Sequence, residues 1–194
     1  MTRIIGGSAG SLRLATPGPT TRPTSDRVRE ALFSRLEARE GFHGGVLDLF
    51  AGSGALGLEA ASRGATAVIL VEKHPSAVKV IRSNIAQISP SLPASTTVSV
   101  VSSSVHLFLA SAPRLQARGV FIDPPYEDES VHSVLAALPP WLAPGAWVAV
   151  ERSTRSTPPE WPSGFEPWEP KTYGETALYV ASFSAKGSHP PLEA

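Results

Sequence analysis

A chain of 194 residues, 42% hydrophobic and 18% charged, is long enough to bury one sizeable core and has the composition of a soluble globular domain. No apolar run approaches the roughly 18 residues of a membrane-spanning helix, which excludes a helical membrane protein. The lack of cysteine excludes disulfides and cysteine-ligated zinc, and the N-terminus lacks the apolar stretch of a signal peptide, so a cytoplasmic location is expected.

The net charge of zero hides an asymmetry. Up to Arg29 the chain carries Arg3, Arg13, Arg22, Arg27 and Arg29 against a single acid, Asp26. Guanidinium groups are always charged and donate bidentately, which suits phosphate recognition, and a solvated basic face is the plainer alternative.

In chain order, the opening RIIGGSAGSLRLATPGPTTRPT mixes short β-type stretches with glycine, proline and threonine, as an extended arm or small hairpin does. Thr24 or Ser25 can cap a helix with Val28, Ala31, Leu32 and Leu36 at helical spacing, stopped by Gly41 and the Gly44-Gly45 pair. These features define an N-terminal arm and helix over 1–40.

The main domain is expected over 41–186, where strands and helices alternate. The strands read GVLDLF, TAVILVE, TTVSVVS, GVFIDPP, AWVAVE and TALYVASF, and the helices between them ALGLEAASRG, PSAVKVIRSNIAQI, SVHLFLASA and SVHSVLAALP. Runs of Val, Ile and Leu without strict alternation fit parallel strands covered on both faces, hence a doubly wound α/β sheet. The proline- and tryptophan-rich segment TPPEWPSGFEPWEPKTYGE reads as a loop, and the tail 187–194 as disordered.

Between the first of these strands and its helix, Phe50 and Ala51-Gly52-Ser53-Gly54 form a glycine-rich turn that lets backbone approach a ligand. No Gly-Lys-Ser/Thr follows, so it is not a triphosphate loop. The next strand ends at Glu72, about 20 residues on, where a carboxylate can accept hydrogen bonds from both hydroxyls of a ribose. Asp48 lies among apolar neighbours, a placement that an ammonium group on the ligand would explain. The ligand read from these residues is a nucleoside.

A strand that ends in Asp123-Pro124-Pro125-Tyr126 gives up the two proline N–H groups, and its carbonyls need other partners. An exocyclic amine of a base has two N–H donors. The Asp123 carboxylate and the Pro124 carbonyl can accept them, while Tyr126 offers a face on which the base stacks. The base would have to leave a duplex, or already lie in a single strand, to reach such a pocket.

The segments RPTSDRVREALFSRL, LDLFAGSGALGLEA and VFIDPPYE resemble the RsmD family, the 16S ribosomal RNA guanine-N2 methyltransferases that use S-adenosylmethionine. The likeness runs from RIIGG at the start to YGETALYV near the end, and RPTSDRVREALF is its most specific part. It implies a Rossmann-like class I methyltransferase fold with a small N-terminal extension, and as substrate a guanine of 16S ribosomal RNA, within an assembling small subunit. It also implies that Gly52, Ser53 and Gly54 line the methionine part of the cofactor, with Asp48 near its amino group and Glu72 on the ribose. Asp123 to Tyr126 would be the catalytic motif, with Arg3, Arg13, Arg22, Arg27 and Arg29 on the RNA. Ser104 stands where the family usually carries Asp or Asn for the adenine amino group.

The competing readings are an adenine-N6 DNA methyltransferase, which shares Asp-Pro-Pro-Tyr but would need a separate DNA-recognition domain, and a non-catalytic RNA-binding assembly factor. A monomer is expected. The five histidines have no metal-type spacing, so no metal is expected, and His106 should pack against the sheet. Trp141 and Trp147 are core candidates, and Trp161 and Trp168 are open to RNA contact.

Overall fold

Parallel strands rich in Val, Ile and Leu need cover on both faces, and the order of elements supplies it. The computed structural model describes residues 2–18, 26–113, 115–125 and 130–184. A two-stranded hairpin, β1 (Thr2–Arg3) with β2 (Arg13–Leu14), opens the chain. Helix α1 (Asp26–Arg39) follows, then β3 (Gly44–Leu49), α2 (Ala55–Ser62), β4 (Ala65–Glu72), α3 (Pro75–Ile88), β5 (Thr97–Ser102), α4 (Val105–Leu109), β6 (Ala117–Ile122), α5 (Val131–Ala137) and β7 (Leu142–Ser153). Three further strands, β8 (Phe165–Pro167), β9 (Lys171–Tyr173) and β10 (Thr176–Phe183), complete the sheet.

The sheet order is β5-β4-β3-β6-β7-β10-β8, with β9 also on β10. The strands from β5 through β7 are mutually parallel, and β10 is antiparallel to β7, β8 and β9. One face carries Val46, Phe121 and Trp147 against Ile4, Leu14, Phe33, Leu58 and Ile81, so the arm, α1, α2 and α3 share one core with the sheet. The other face packs Leu47, Leu49, Val120, Ile122 and Val148 against Phe108, Val134 and Trp141 of the α4–α5 side. Because side chains alternate along a strand, Asp48 shares the face of Val46, and Glu151 that of Ala149.

The arm is fastened by polar groups as well as by Ile4 and Leu14. Glu59 of α2 is fully buried, and its carboxylate accepts from Ile5 N at 2.6 Å, Gly6 N at 2.9 Å and Arg63 Nε at 2.7 Å. Gly7, at φ +77°, passes so close to the end of α2 that a Cβ would lie 1.9 Å from the Ser62 carbonyl oxygen. Further along, the buried Asn84 of α3 accepts from Ala15 N at 2.9 Å and donates to the carbonyls of Ala15 at 3.0 Å and Ser53 at 2.9 Å. One amide thus holds the end of the arm against the glycine-rich turn.

Several expectations are corrected. The late loop contains β8 and β9, which pair with β10 despite their prolines because they lie at the sheet edge. Trp168 is buried, with its Nε1 donating to Ser182 Oγ at 2.8 Å and Arg39 stacked 4.2 Å from its ring centre, so it is no surface for RNA. Trp161 is half-buried against Phe165. His106 is exposed rather than packed on the sheet, with Nε2 2.8 Å from Ser133 Oγ. The expected cap at Thr24 or Ser25, Arg22 and the tail 187–194 lie outside the described residues.

Truncating Glu59 leaves two arm N–H groups and Arg63 without their acceptor. Glu59→Ala is therefore expected to cost about 3–5 kcal/mol, measured by urea denaturation, and to expose the arm to limited proteolysis before the sheet.

Candidate active site at the strand ends

From β3 the chain winds one way, through β4 to β5, and from β6 the other way, to β7. Between them the strand ends part, and such a switch point is where open α/β sheets bind ligands. A cavity of about 600 Å³ lies there, within the roughly 300–1,000 Å³ usual for small-molecule sites.

Of the expected cofactor residues, Asp48, Phe50, Ala51, Gly52, Ser53, Glu72 and Ser104 line the cavity, and so do Asp123, Pro124 and Pro125 of the expected catalytic motif. Tyr126 lies outside the described residues. Gly54 is absent from the wall: its φ of +80° closes the turn into α2, and a Cβ there would face Leu58 and Ile81. Gly52, at φ +57°, has nothing within 4 Å of where a Cβ would stand, so the turn presents bare backbone. Phe50, just ahead of it, also adopts a left-handed φ, of 64°.

Glu72 is buried and organises this turn. One carboxylate oxygen accepts from Gly52 N at 2.9 Å and the other from His74 N at 2.8 Å, which fixes the carboxylate with lone pairs to spare. Ser104 is exposed and caps α4, accepting from Leu107 N at 3.3 Å, so its hydroxyl already has work outside ligand binding. Asp48 is buried and accepts from Gly57 N at 2.8 Å, while burial and then the Glu72 charge, against that one hydrogen bond, push its pKa up to about 7. Asp123 is half-buried, and its pKa rises well above the ordinary carboxylate value through burial first, then the charges of Glu151 and Asp48.

Glu151, near the end of β7, is a site residue that motif reading passed over. It is buried, lines the same cavity and acts on Asp123. The signal was available in the alternation Trp147, Ala149, Glu151, which carries a core face onto an acid at the strand end.

The arm arginines separate into two groups. Arg3, Arg13 and Arg27 are exposed, with Arg3 Nε donating to Asp26 Oδ2 at 3.2 Å. Arg29 is corrected: at 1% exposure its guanidinium is not on the outer surface that would meet an RNA backbone, and the residue lines the cavity instead. Helical spacing shows why, since Arg29 falls on the stripe of Leu32, Phe33 and Leu36.

A family model described as conserved hypothetical protein 95 matches residues 2–182. Ribosomal RNA small subunit methyltransferase D of Escherichia coli strain K12 is 35% identical over 188 residues, which is 95% of this chain and 91% of that protein. The solved structure of yhhF from Escherichia coli superposes with a TM-score of 0.82 at 32% identity, covering 95% of this chain and 99% of that one. A precorrin-6y C5,15-methyltransferase from Geobacter metallireducens, at 17% identity, 89% and 95% coverage and a TM-score of 0.65, shares the fold.

A carboxyl whose pKa is higher in the folded than in the unfolded chain binds more protons when folded. The stability it contributes is present at low pH and is lost as pH rises, for Asp48 from about 3.8 to about 7. In ligand-free protein the urea midpoint should therefore fall from pH 5 to pH 8. Asp48→Asn should flatten that fall without abolishing it, because Asp123 contributes in the same direction. An unchanged slope in the variant would contradict the shift at Asp48.

Proposed function

The chain belongs to this family, the one its motifs resemble, and from that premise we propose that it methylates the exocyclic N2 amine of a guanine in 16S ribosomal RNA. S-adenosylmethionine is the methyl donor. The observation that carries the reading is one cavity at the switch point lined both by Glu72 and the bare turn at Gly52 and by Asp123 and Pro124. The first pair suits a nucleoside, the second an amine.

The donor set fits this cofactor. After burial, the charges of Glu151 and Asp48 raise the proton affinity of Asp123, and that of Glu72 raises the proton affinity of Asp48, so the cavity favours a cationic ligand, and S-adenosylmethionine carries both an ammonium and a sulfonium. When bound, it supplies an electrophilic methyl group.

The chain's own residues do the positioning. Glu72 takes the ribose hydroxyls, Asp48 the ammonium, and the backbone of Gly52 and Ser53 lies along the methionine part. The Asp123 carboxylate and the Pro124 carbonyl accept the two N–H groups of N2 and aim its lone pair at the methyl carbon. Forming the new N–C bond would break the methyl–sulfur bond, with the thioether as leaving group, and make the nitrogen acidic. Asp123 can then hold the released proton on its carboxylate oxygen, a task for which its raised pKa suits it better than an ordinary Asp. Tyr126, next in the chain after Pro125, is assigned on sequence grounds as the stacking surface for the base.

Residues 1–40 would form the RNA-binding extension and 41–186 the catalytic domain, a monomer acting in the cytoplasm on an assembling small subunit. Arg3, Arg13 and Arg27 face outward and suit phosphate contact, with Arg22 assigned to the same role on sequence grounds. Among the described residues no helix is long and apolar enough to cross a membrane.

The test uses labelled S-adenosylmethionine with small subunits lacking guanine-N2 methylation, and with naked 16S RNA and adenine-rich DNA in parallel, followed by nucleoside analysis. N2-methylguanosine from ribosomal substrate is the expected product. N6-methyladenine from DNA would reject the proposal.

Two variants divide the site. Asp123→Ala should lower kcat by roughly 10²- to 10⁴-fold while S-adenosylhomocysteine binding is retained. Glu72→Ala should weaken that binding by roughly 10- to 100-fold. Equal loss of both properties in Asp123→Ala would show that Asp123 supports the cofactor or the fold.

A further inference from the structure

Arg29 is a buried cation with unused donors. Its Nη2 donates to the Arg3 carbonyl at 2.7 Å and to Asp26 Oδ1 at 2.7 Å, but Nε and Nη1 are buried without any hydrogen-bond partner. Buried guanidinium N–H groups left unpaired are costly, and Arg29 forms part of the cavity wall. Among the described residues, neither nitrogen has a hydrogen-bond partner.

The place narrows what would fill the gap. Thr16 and Pro17 line the cavity with Arg29, and the chain just before them is tied by Asn84 to the Ser53 carbonyl of the glycine-rich turn. Arg29 therefore serves the amino-acid end of the cavity, on the face of the sheet toward which Asp48 also points. Among the described residues, the other Lys or Arg on the wall, Lys73, is exposed and follows Glu72 at the ribose end. An amino-acid end carries one ammonium and one carboxylate. Asp48 answers the first, and nothing yet answers the second.

We propose that Arg29 binds the α-carboxylate of the methionine part of S-adenosylmethionine through Nε and Nη1. The inference rests on the cofactor assignment above and adds to it a residue that the arginine-rich arm had appeared to devote to RNA. A carboxylate is the natural partner of a guanidinium, since charge-assisted hydrogen bonds there are short and strong. An RNA phosphate would have to enter beneath the surface to reach a side chain that is 1% exposed. Asp26 then acts as a positioning residue: it holds one nitrogen of Arg29 and leaves the others for the ligand.

The test compares binding of S-adenosylhomocysteine with binding of its decarboxylated analogue, which keeps the ammonium, thioether and adenosine, by calorimetry on the full chain. Wild-type protein should prefer the carboxylate-bearing ligand by roughly 10- to 100-fold. Arg29→Gln should lose that preference while binding the decarboxylated analogue as wild type does, which also shows that the variant is folded. Arg29→Lys should keep part of it.

Equal affinity of wild-type protein for the two ligands overturns the proposal even if Arg29→Gln does not fold. So does a preference that survives in Arg29→Gln while the KM for RNA rises, which would assign the residue to an acceptor on the target base. Failure of wild-type protein to bind either ligand would reject the cofactor assignment itself, and this inference with it.

Discussion

The reversal of winding between β3 and β6 is the constraint on which the site depends. Had the chain continued in one direction, crossovers would have covered the ends of β3 and β6; by turning back it leaves those ends without a connection above them. The turn after β3 can then run as bare backbone, and the strand β6 can end in two prolines without leaving a neighbour's ladder incomplete. Both features look like defects in a sheet and become useful at this one position.

Electrostatics follow from the same geometry. Asp48, Asp123 and Glu151 come from three adjacent strands and meet on one side of the sheet, where apolar packing from α1, α2 and the arm lowers the local dielectric. Mutual repulsion there makes an empty cavity unfavourable for fully ionised carboxylates and a cation-bearing ligand favourable. Arg29 gives the region its opposite pole, so the cavity holds separated charges of both signs. On the proposal above, that arrangement would discriminate between a zwitterion and a simple nucleoside, because a nucleoside has no carboxylate for the two unused nitrogens of Arg29 and no ammonium for Asp48.

Much of this was legible in the sequence because the relevant signals were local. The parallel strands showed as continuous apolar runs, the turn as glycine, and the end of β6 as proline, and each lies where the sequence indicates. Signals that depend on distant partners were harder to read. Arg29 looked like one more member of a basic run, although its register with Leu32 and Leu36 placed it inward; residue type outweighed periodicity in that reading. The strands β8 and β9, three residues each and adjoining prolines, exist through pairing with β10, which no local propensity encodes. Trp168 likewise owes its burial to arginines from α1, more than a hundred positions earlier.

The fastening of the arm to α2 also bears on how the molecule is made. The N–H groups of Ile5 and Gly6 find their acceptor on Glu59, 54 and 53 positions later, so residues synthesised earlier must wait for a partner made later. Until α2 has emerged and formed, the hairpin has little to hold it, and until α3 follows, Asn84 cannot join Ala15 to the turn. Such non-local closure slows folding relative to the local β-α units between. The arm is thus expected to settle late onto a partly built sheet, and the ligand cavity acquires its last wall from a stretch of chain made before the sheet itself.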